Sequence, residues 1–261
     1  MHKMGLSSVI KTESDYKNFK TAADISSNIL RALRDAVKEN VGAKDIDNLA
    51  QELCAKYKVK PAFWGVPSPA GGFPSNVCIS VNNTILHGIP HSDIVFNNGD
   101  LVKVDFGIIY EGFFTDHCVT VAVGEITAEE RRLLETGKLC IDTAVQKAIV
   151  GNKVSDISRS LQSVADLAGF DYVKNYCGHG IGKSLWLEPE VLTYTYRGME
   201  EYPLVDGMCL CVENQLTLGK AKLFLDNDGW SLKTKDRSKG VMFEHMVIVR
   251  KDKPEILTLL D

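Results

Sequence analysis

The sequence predicts an α+β fold in two pseudo-symmetric halves, about 12–125 and 126–261, and two observations carry that reading. The first is an internal repeat. His87-Gly88-Ile89-Pro90 is echoed by His179-Gly180-Ile181-Gly182, Gly99-Asp100-Leu101-Val102-Lys103-Val104-Asp105 by Gly207-Met208-Cys209-Leu210-Cys211-Val212-Glu213, and Asp116-His117 by Glu244-His245. The second is element order. Each half reads as two helices followed by antiparallel strands, which puts helices on the outer face of a curved sheet and leaves its other face to the repeated acids.

Taken in order, residues 1–11 read as a loose arm ahead of a single domain spanning 12–261. Thr12-Glu13-Ser14-Asp15 is a capping start for a helix whose Ile25, Ile29, Leu33 and Val37 recur every four residues and bury one face. Gly42 separates it from a second helical stretch carrying Ile46, Leu49, Leu53 and Tyr57. Pro61, Pro67, Pro69 and Pro74, with Gly65, Gly71 and Gly72, then make a loop. Strands are expected from Val77 to about Val121, broken by turns at Asn82-Asn83 and Asn97-Asn98-Gly99. In the second half Thr127-Ala128-Glu129-Glu130 is a capping box for a helix through Leu133, Leu134 and Ile141 to about Val150. A further helix from near Ser155 to Ala168 ends at Gly169, a left-handed cap. Strands follow to Val249, with Asp226-Asn227-Asp228-Gly229 as the clearest hairpin turn. The run Lys233-Thr234-Lys235-Asp236-Arg237-Ser238-Lys239 reads as a solvated strand face or loop.

The acids are what make the repeat chemical. Each half presents one carboxylate leaving a strand and one entering the next, followed by valines at alternate positions, Val119/Val121 and Val247/Val249. A turn near Tyr110-Glu111-Gly112 would fold Asp105 and Asp116 opposite each other, with Cβ atoms roughly 4.5–5.5 Å apart. Carboxylates that close repel unless they share a proton or a cation, and two metal ions about 3.5–4 Å apart would satisfy four of them. A shared metal site between the halves is the expectation.

Composition narrows the alternatives. With 261 residues and 44% hydrophobic content the chain has ample material for a continuous core. A net charge of -4 argues against a nucleic-acid partner, and no apolar run approaches the roughly 18 residues needed to cross a bilayer. The first residues show no signal-peptide pattern, so the cytoplasm is expected. The seven cysteines include no CxxC pair, which excludes zinc-finger and thioredoxin readings. Cys209 and Cys211 alternate along a strand and read as small buried hydrophobes, and free thiols fit a reducing compartment.

With acids and histidines placed, the chain resembles the type 1 methionine aminopeptidases, dinuclear metallopeptidases of the pita-bread fold, over nearly all of residues 12–260. The stretches that carry the resemblance are Val77-Cys78-Ile79-Ser80-Val81-Asn82, His87-Gly88-Ile89-Pro90, Gly178-His179-Gly180-Ile181-Gly182, Asp228-Gly229-Trp230 with Lys233-Thr234-Lys235-Asp236-Arg237, and Glu244-His245. The resemblance implies Asp105, Asp116, His179, Glu213 and Glu244 as ligands of two divalent ions from the set Mn, Fe, Co and Zn. It further implies a metal-bridged water attacking the scissile carbonyl, Glu213 shuttling the proton and His87 hydrogen-bonding the substrate. The implied substrates are N-terminal methionyl peptides of nascent proteins, met by a monomer, with the ribosome a further candidate partner.

Departures from the family cluster around the substrate. The family's second histidine, seven residues after His179, is Trp186 here, which donates one N–H but cannot exchange a proton. Its indole is expected to fill the space of the missing ring. Leu185 replaces a phenylalanine, and the usual glutamate-proline-methionine reads Glu213-Asn214-Gln215. The 62–76 loop is longer, with Val66 and Phe73 where tyrosines are frequent, while Cys78 and Trp230 match. Phe73, Cys78, His87, Leu185, Trp186, Gln215 and Trp230 are thus the expected substrate-binding residues. The competing expectation is a catalytically weak or substrate-altered relative that binds protein or peptide termini. A proline dipeptidase of the same fold normally brings an additional N-terminal domain.

Overall fold

Residues 6–260 are described by the structure, a computed structural model. Four helices form where the caps predict: α1 Glu13–Ala36, α2 Ala43–Tyr57, α3 Ala128–Val145 and α4 Val154–Ala168. The Thr12 side chain accepts from the Asp15 amide, Thr127 and Glu130 close a reciprocal capping box, and Gly169 ends α4 in the left-handed region at φ 76°. α3 stops at Val145 rather than near Val150. The chain beyond it is drawn into backbone pairing instead, Val150 N–H donating to the Arg250 carbonyl at 2.9 Å.

Seven strands make the body of the main sheet: β1 Cys78–Val81, β2 Leu101–Phe106, β3 His117–Ala122, β4 Gly178–Gly180, β5 Leu187–Val191, β6 Cys209–Thr217 and β7 Gly240–Ile248. Their spatial order is β5-β4-β6-β7-β3-β2-β1, antiparallel throughout, with Asp171–Tyr172 added beside β6 and Glu255–Ile256 beside β7. The halves meet where β7 pairs with β3, at Glu244 opposite Cys118. Each half thus contributes its acid-bearing strands to the middle of one sheet.

Period-two alternation sorts the side chains. Val102, Val104 and Phe106 of β2 face outward under Ile29, Leu30 and Leu33 of α1, while Leu210, Val212 and Val247 pack under Leu133 and Ile141 of α3 and Ile157 and Leu161 of α4. The alternate residues, among them Cys78, Cys211 and Met246, share an inner cluster with Phe73 and Leu185. Helices therefore cover the outer face and the acids are left to the inner one, as the element order implies.

Two expectations need correction. The arm is docked: Ile10 N–H donates to the Gly207 carbonyl at 2.9 Å and Ser8 Oγ to the Glu188 carbonyl at 2.8 Å. Residues 1–5 of the arm lie outside the described residues. The turn at Tyr110-Glu111-Gly112 forms, with φ of 48° at Glu111 and 78° at Gly112, but its hairpin belongs to a separate small sheet with Lys60–Pro61. In the main sheet Asp105 lies opposite Cys118, not Asp116.

That offset has a local cause. Thr115 and Ile108 bond reciprocally, Thr115 N–H to the Ile108 carbonyl at 2.9 Å and Ile108 N–H to Thr115 Oγ1 at 2.8 Å, and Gly107 packs closely against the Thr115 backbone and Ala62. A Cβ at Gly107 would lie 2.0 Å from the Thr115 carbonyl oxygen. Gly107→Ala is therefore expected to cost about 1–3 kcal/mol of stability or more, by overpacking against backbone that cannot retreat. Urea unfolding measures it; a midpoint equal to the parent's would show that the two chain segments are free to part.

Candidate metal centre

Strand register builds the site. Residues directly opposed in antiparallel strands share a face, and one row runs Glu213, Glu244, Cys118, Asp105, Cys78 across β6, β7, β3, β2 and β1. A second row, two residues along, holds His179 opposite Cys211 and Cys211 opposite Met246. Asp116 completes it, two residues before Cys118, its N–H donating to Met246 Sδ at 3.2 Å. All five expected ligands thus reach the inner face, which is where the structure brings them together.

The electrostatics call for a cation. Asp105, Asp116, Glu213 and Glu244 are buried, and among the described residues lining the cavity above them there is neither lysine nor arginine. Unit charges 4 Å apart repel by about 4 kcal/mol at an effective dielectric of 20, and several such pairs would rival the whole stability of a domain, about 5–15 kcal/mol. Burial, then the charges of Asp116 and Glu213, push the Asp105 carboxyl well above its usual range; burial and the same two charges do this to Glu244. Glu213 is pushed up to about 7 by burial, with the Asp116 charge adding to it and His179 opposing. Asp105 Oδ1 and Glu244 Oε1 are buried without a hydrogen-bond partner.

The donor set fits a divalent ion. Asp116, His179, Cys211 and Glu244 each offer a ligand atom, all within 4.8 Å of one another. His179 Nδ1 lies 3.0 Å from the Gly180 carbonyl, so as the Nδ1–H tautomer it donates there and leaves the Nε2 lone pair facing Asp116 Oδ2 at 3.7 Å. Fixing one imidazole nitrogen to aim the other is how proteins orient metal-binding histidines. Burial lowers the His179 pKa, but the Asp116 and Glu213 carboxylates outweigh it and hold the ring above its ordinary value.

A cavity of about 710 Å³ opens over this floor, walled by Phe63, Val66, Phe73, Leu185, Trp230 and Met242 among others. Phe73 is 3% exposed and meets the Trp230 ring edge-on at 5.0 Å, so the long 62–76 loop is folded into the wall. His87 enters from the side with φ 54°, its ring edge-on to Tyr176 at 5.7 Å, and burial lowers its pKa so that the neutral ring prevails at neutral pH. Cys78 lines the cavity too. Trp186 stands at the mouth, 59% exposed, and does not fill the interior. Gln215 is outside the lining: it is fully buried and donates Nε2–H to Glu213 Oε1.

Sequence reasoning missed Tyr176 and Cys211. Nothing in the local pattern marks Tyr176. For Cys211 a signal existed, since the spacing Cys211-Val212-Glu213 on one strand puts the thiol on the same face as the acid.

Residues 17–251 match the profile of metallopeptidase family M24. The chain belongs to that family. It is 35% identical to the methionine aminopeptidase of Clostridium acetobutylicum over 97% of this chain and 99% of that protein, and 34% identical to the methionine aminopeptidase of Aquifex aeolicus over 95% and 98%. The crystal structure of methionine aminopeptidase from Thermotoga maritima superposes with a TM-score of 0.90 at 32% identity, over 95% of this chain and 98% of that one. The pita-bread fold of an M24 peptidase is therefore the fold of this chain.

For an M24 metallopeptidase with this floor, ion binding and stability are linked. A divalent ion at about one hundred times its dissociation constant should stabilise the fold by about 2.7 kcal/mol. Asp116→Asn should abolish most of that gain. Thermal melts with and without Mn, Co or Zn decide it, and a parent melting temperature indifferent to all three would defeat the metal reading.

Proposed function

We propose that this chain is a metal-dependent methionine aminopeptidase that removes N-terminal methionine from proteins or peptides, with Asp105, Asp116, His179, Glu213 and Glu244 holding two divalent ions. The observation that supports it best is the meeting of those five groups at the floor of an apolar-walled cavity, in a chain similar end to end to proteins of that name. Divalent ions bound there supply an activated water and polarisation of the scissile carbonyl.

The chain's own residues do the rest. The apolar wall of Phe63, Phe73, Leu185, Trp230 and Met242 takes an unbranched thioether side chain and excludes water around the reacting carbonyl. The carboxylate floor faces the substrate's free α-amino group and so favours a chain terminus over an internal peptide bond. Glu213 accepts the proton of the attacking water and passes it to the leaving amine; Gln215, bonded to Oε1, fixes its orientation. His87, neutral and held against Tyr176, donates an N–H to the substrate beside the scissile bond. Among the described residues no helix is long and apolar enough to cross a membrane.

Glu213→Gln keeps an oxygen donor and cannot carry the proton, so it should retain fold and some metal and lose turnover on Met-Ala-X peptides. Turnover near the parent's would remove Glu213 from acid–base duty. His87→Ala should lower kcat more than it raises KM if its hydrogen bond tightens in the transition state; a change in KM alone would reduce His87 to positioning.

Trp186 sits where the family has a proton-exchanging imidazole, and it lines the same mouth. Trp186→His is expected to raise kcat/KM on Met-Ala-X by about tenfold or more, equivalent to roughly 1.4 kcal/mol of recovered transition-state stabilisation. Assays against Leu-, Gly- and X-Pro peptides run beside it. No gain in a folded, metal-loaded variant, together with better turnover of another class by the parent, would give the lead to the substrate-altered reading.

A further inference from the structure

The group of convergent ligand atoms holds one residue outside the five-ligand set. Cys211 joins Asp116, His179 and Glu244, every ligand atom within 4.8 Å of every other. The register explains how. On β6, Cys211 lies two residues before Glu213 and so on the same face, directly opposite His179 of β4 on one side and Met246 of β7 on the other. Its Sγ lies 3.8 Å from the Asp116 carbonyl oxygen, a distance at which a thiol makes only a weak bond. Beside it Glu244 is 2% exposed and keeps Oε1 unpartnered. The Cys211 thiol also hydrogen-bonds the Glu244 carboxyl, so the sulfur and the buried, partnerless Oε1 belong to groups already in contact.

We propose that Cys211 is a sulfur ligand of one of the two ion positions, turning it into a mixed N, S and O site that selects a thiophilic divalent ion, zinc, cobalt or iron, over manganese. This rests on the metal-site reading above and adds a donor to it. One imidazole, one thiolate and two carboxylates make a four-donor set of the kind a tetrahedral ion takes, whereas carboxylates with a single imidazole suit manganese as readily as zinc, cobalt or iron. Coordination replaces the S–H bond with a sulfur–metal bond, and the proton passes to buffer. The other thiols of the inner face, Cys78 and Cys118, lie in the row of Asp105 and stay outside the four-donor group. Asp105 and Glu213 are the two carboxylates of the floor outside that four-donor group.

Cobalt substitution tests this independently of turnover. The full-length protein loaded with Co(II) is expected to show a sulfur-to-cobalt charge-transfer band in the near ultraviolet beside the visible d–d bands. Cys211→Ser and Cys211→Ala should lose the charge-transfer band and keep d–d bands, while Cys78→Ser and Cys118→Ser should retain both. Zinc affinity, measured by competition with a chromophoric chelator, should fall in Cys211→Ser by at least about tenfold, the loss that removal of even an outer partner brings, with manganese affinity changed far less. Parent d–d bands without a charge-transfer band would overturn the proposal while leaving the metal site standing, and this outcome needs no variant to fold. A band that survives both Cys211 variants would overturn it as well. No cobalt bands at all would strike down the metal-site reading itself.

Discussion

Four carboxylates forced onto one buried face are the constraint around which the rest of the chain is organised. Their mutual repulsion is large enough to compete with the stability of the whole domain, so the fold holds them in place against that cost and relies on a bound cation to remove it. The apolar stripes of α1 to α4 cover the outer face of the sheet and supply the burial. The inner face is then free to carry polar groups that a two-sided core would reject. Lys103 shows how strictly this face is managed. It is 1% exposed, and its Nζ is satisfied by the carbonyls of Asn82 at 2.8 Å and Gly240 at 3.1 Å rather than by an acid of the floor.

Pseudo-symmetry is how one sheet gathers charges from two distant parts of the sequence. Each half ends in a pair of acid-bearing strands, and joining β3 to β7 sets the pairs side by side. The halves are not equivalent in detail. Glu213 and Glu244 are directly opposed in register, whereas Asp105 and Asp116 are offset by two positions. Gly107 permits that offset, because only a residue without Cβ fits against the Thr115 carbonyl there. The centre is therefore asymmetric, with His179 and Cys211 beside Asp116 and a longer carboxylate row behind.

Much of this was legible in the sequence, because the signals were local or repeated. Caps at Thr12, Thr127 and Gly169 marked helix ends, and the repeat with its closing acids marked the strands that carry the floor. What escaped depends on pairing between distant segments. The turn at Glu111-Gly112 was visible, but which residue would oppose Asp105 depends on the squeeze between Gly107 and Thr115 and on the sheet that Lys60–Pro61 builds with the hairpin. Trp186 could be aligned with a missing histidine, yet its exposed place at the cavity mouth, just ahead of β5, is not written in that alignment. Cys211 was read as filler because a thiol on an apolar strand usually is; the company it keeps comes from β3 and β4.

The altered residues after Glu213 acquire a purpose once the faces are separated. Asn214 points outward, donating Nδ2–H to the Gly137 carbonyl of α3 at 2.7 Å. At Gly137 an added Cβ would lie 2.8 Å from Val241 of β7, so helix and sheet are in close contact there. Gln215 points inward and holds Glu213 by its carboxylate. One residue ties the strand to the helix behind it and the next ties the candidate proton carrier to the strand, so the position of Glu213 is set from both faces of the sheet. Neither residue touches the cavity wall. These two residues therefore bear on how rigidly Glu213 is held and stand apart from the cavity wall of Phe63, Phe73, Leu185, Trp230 and Met242.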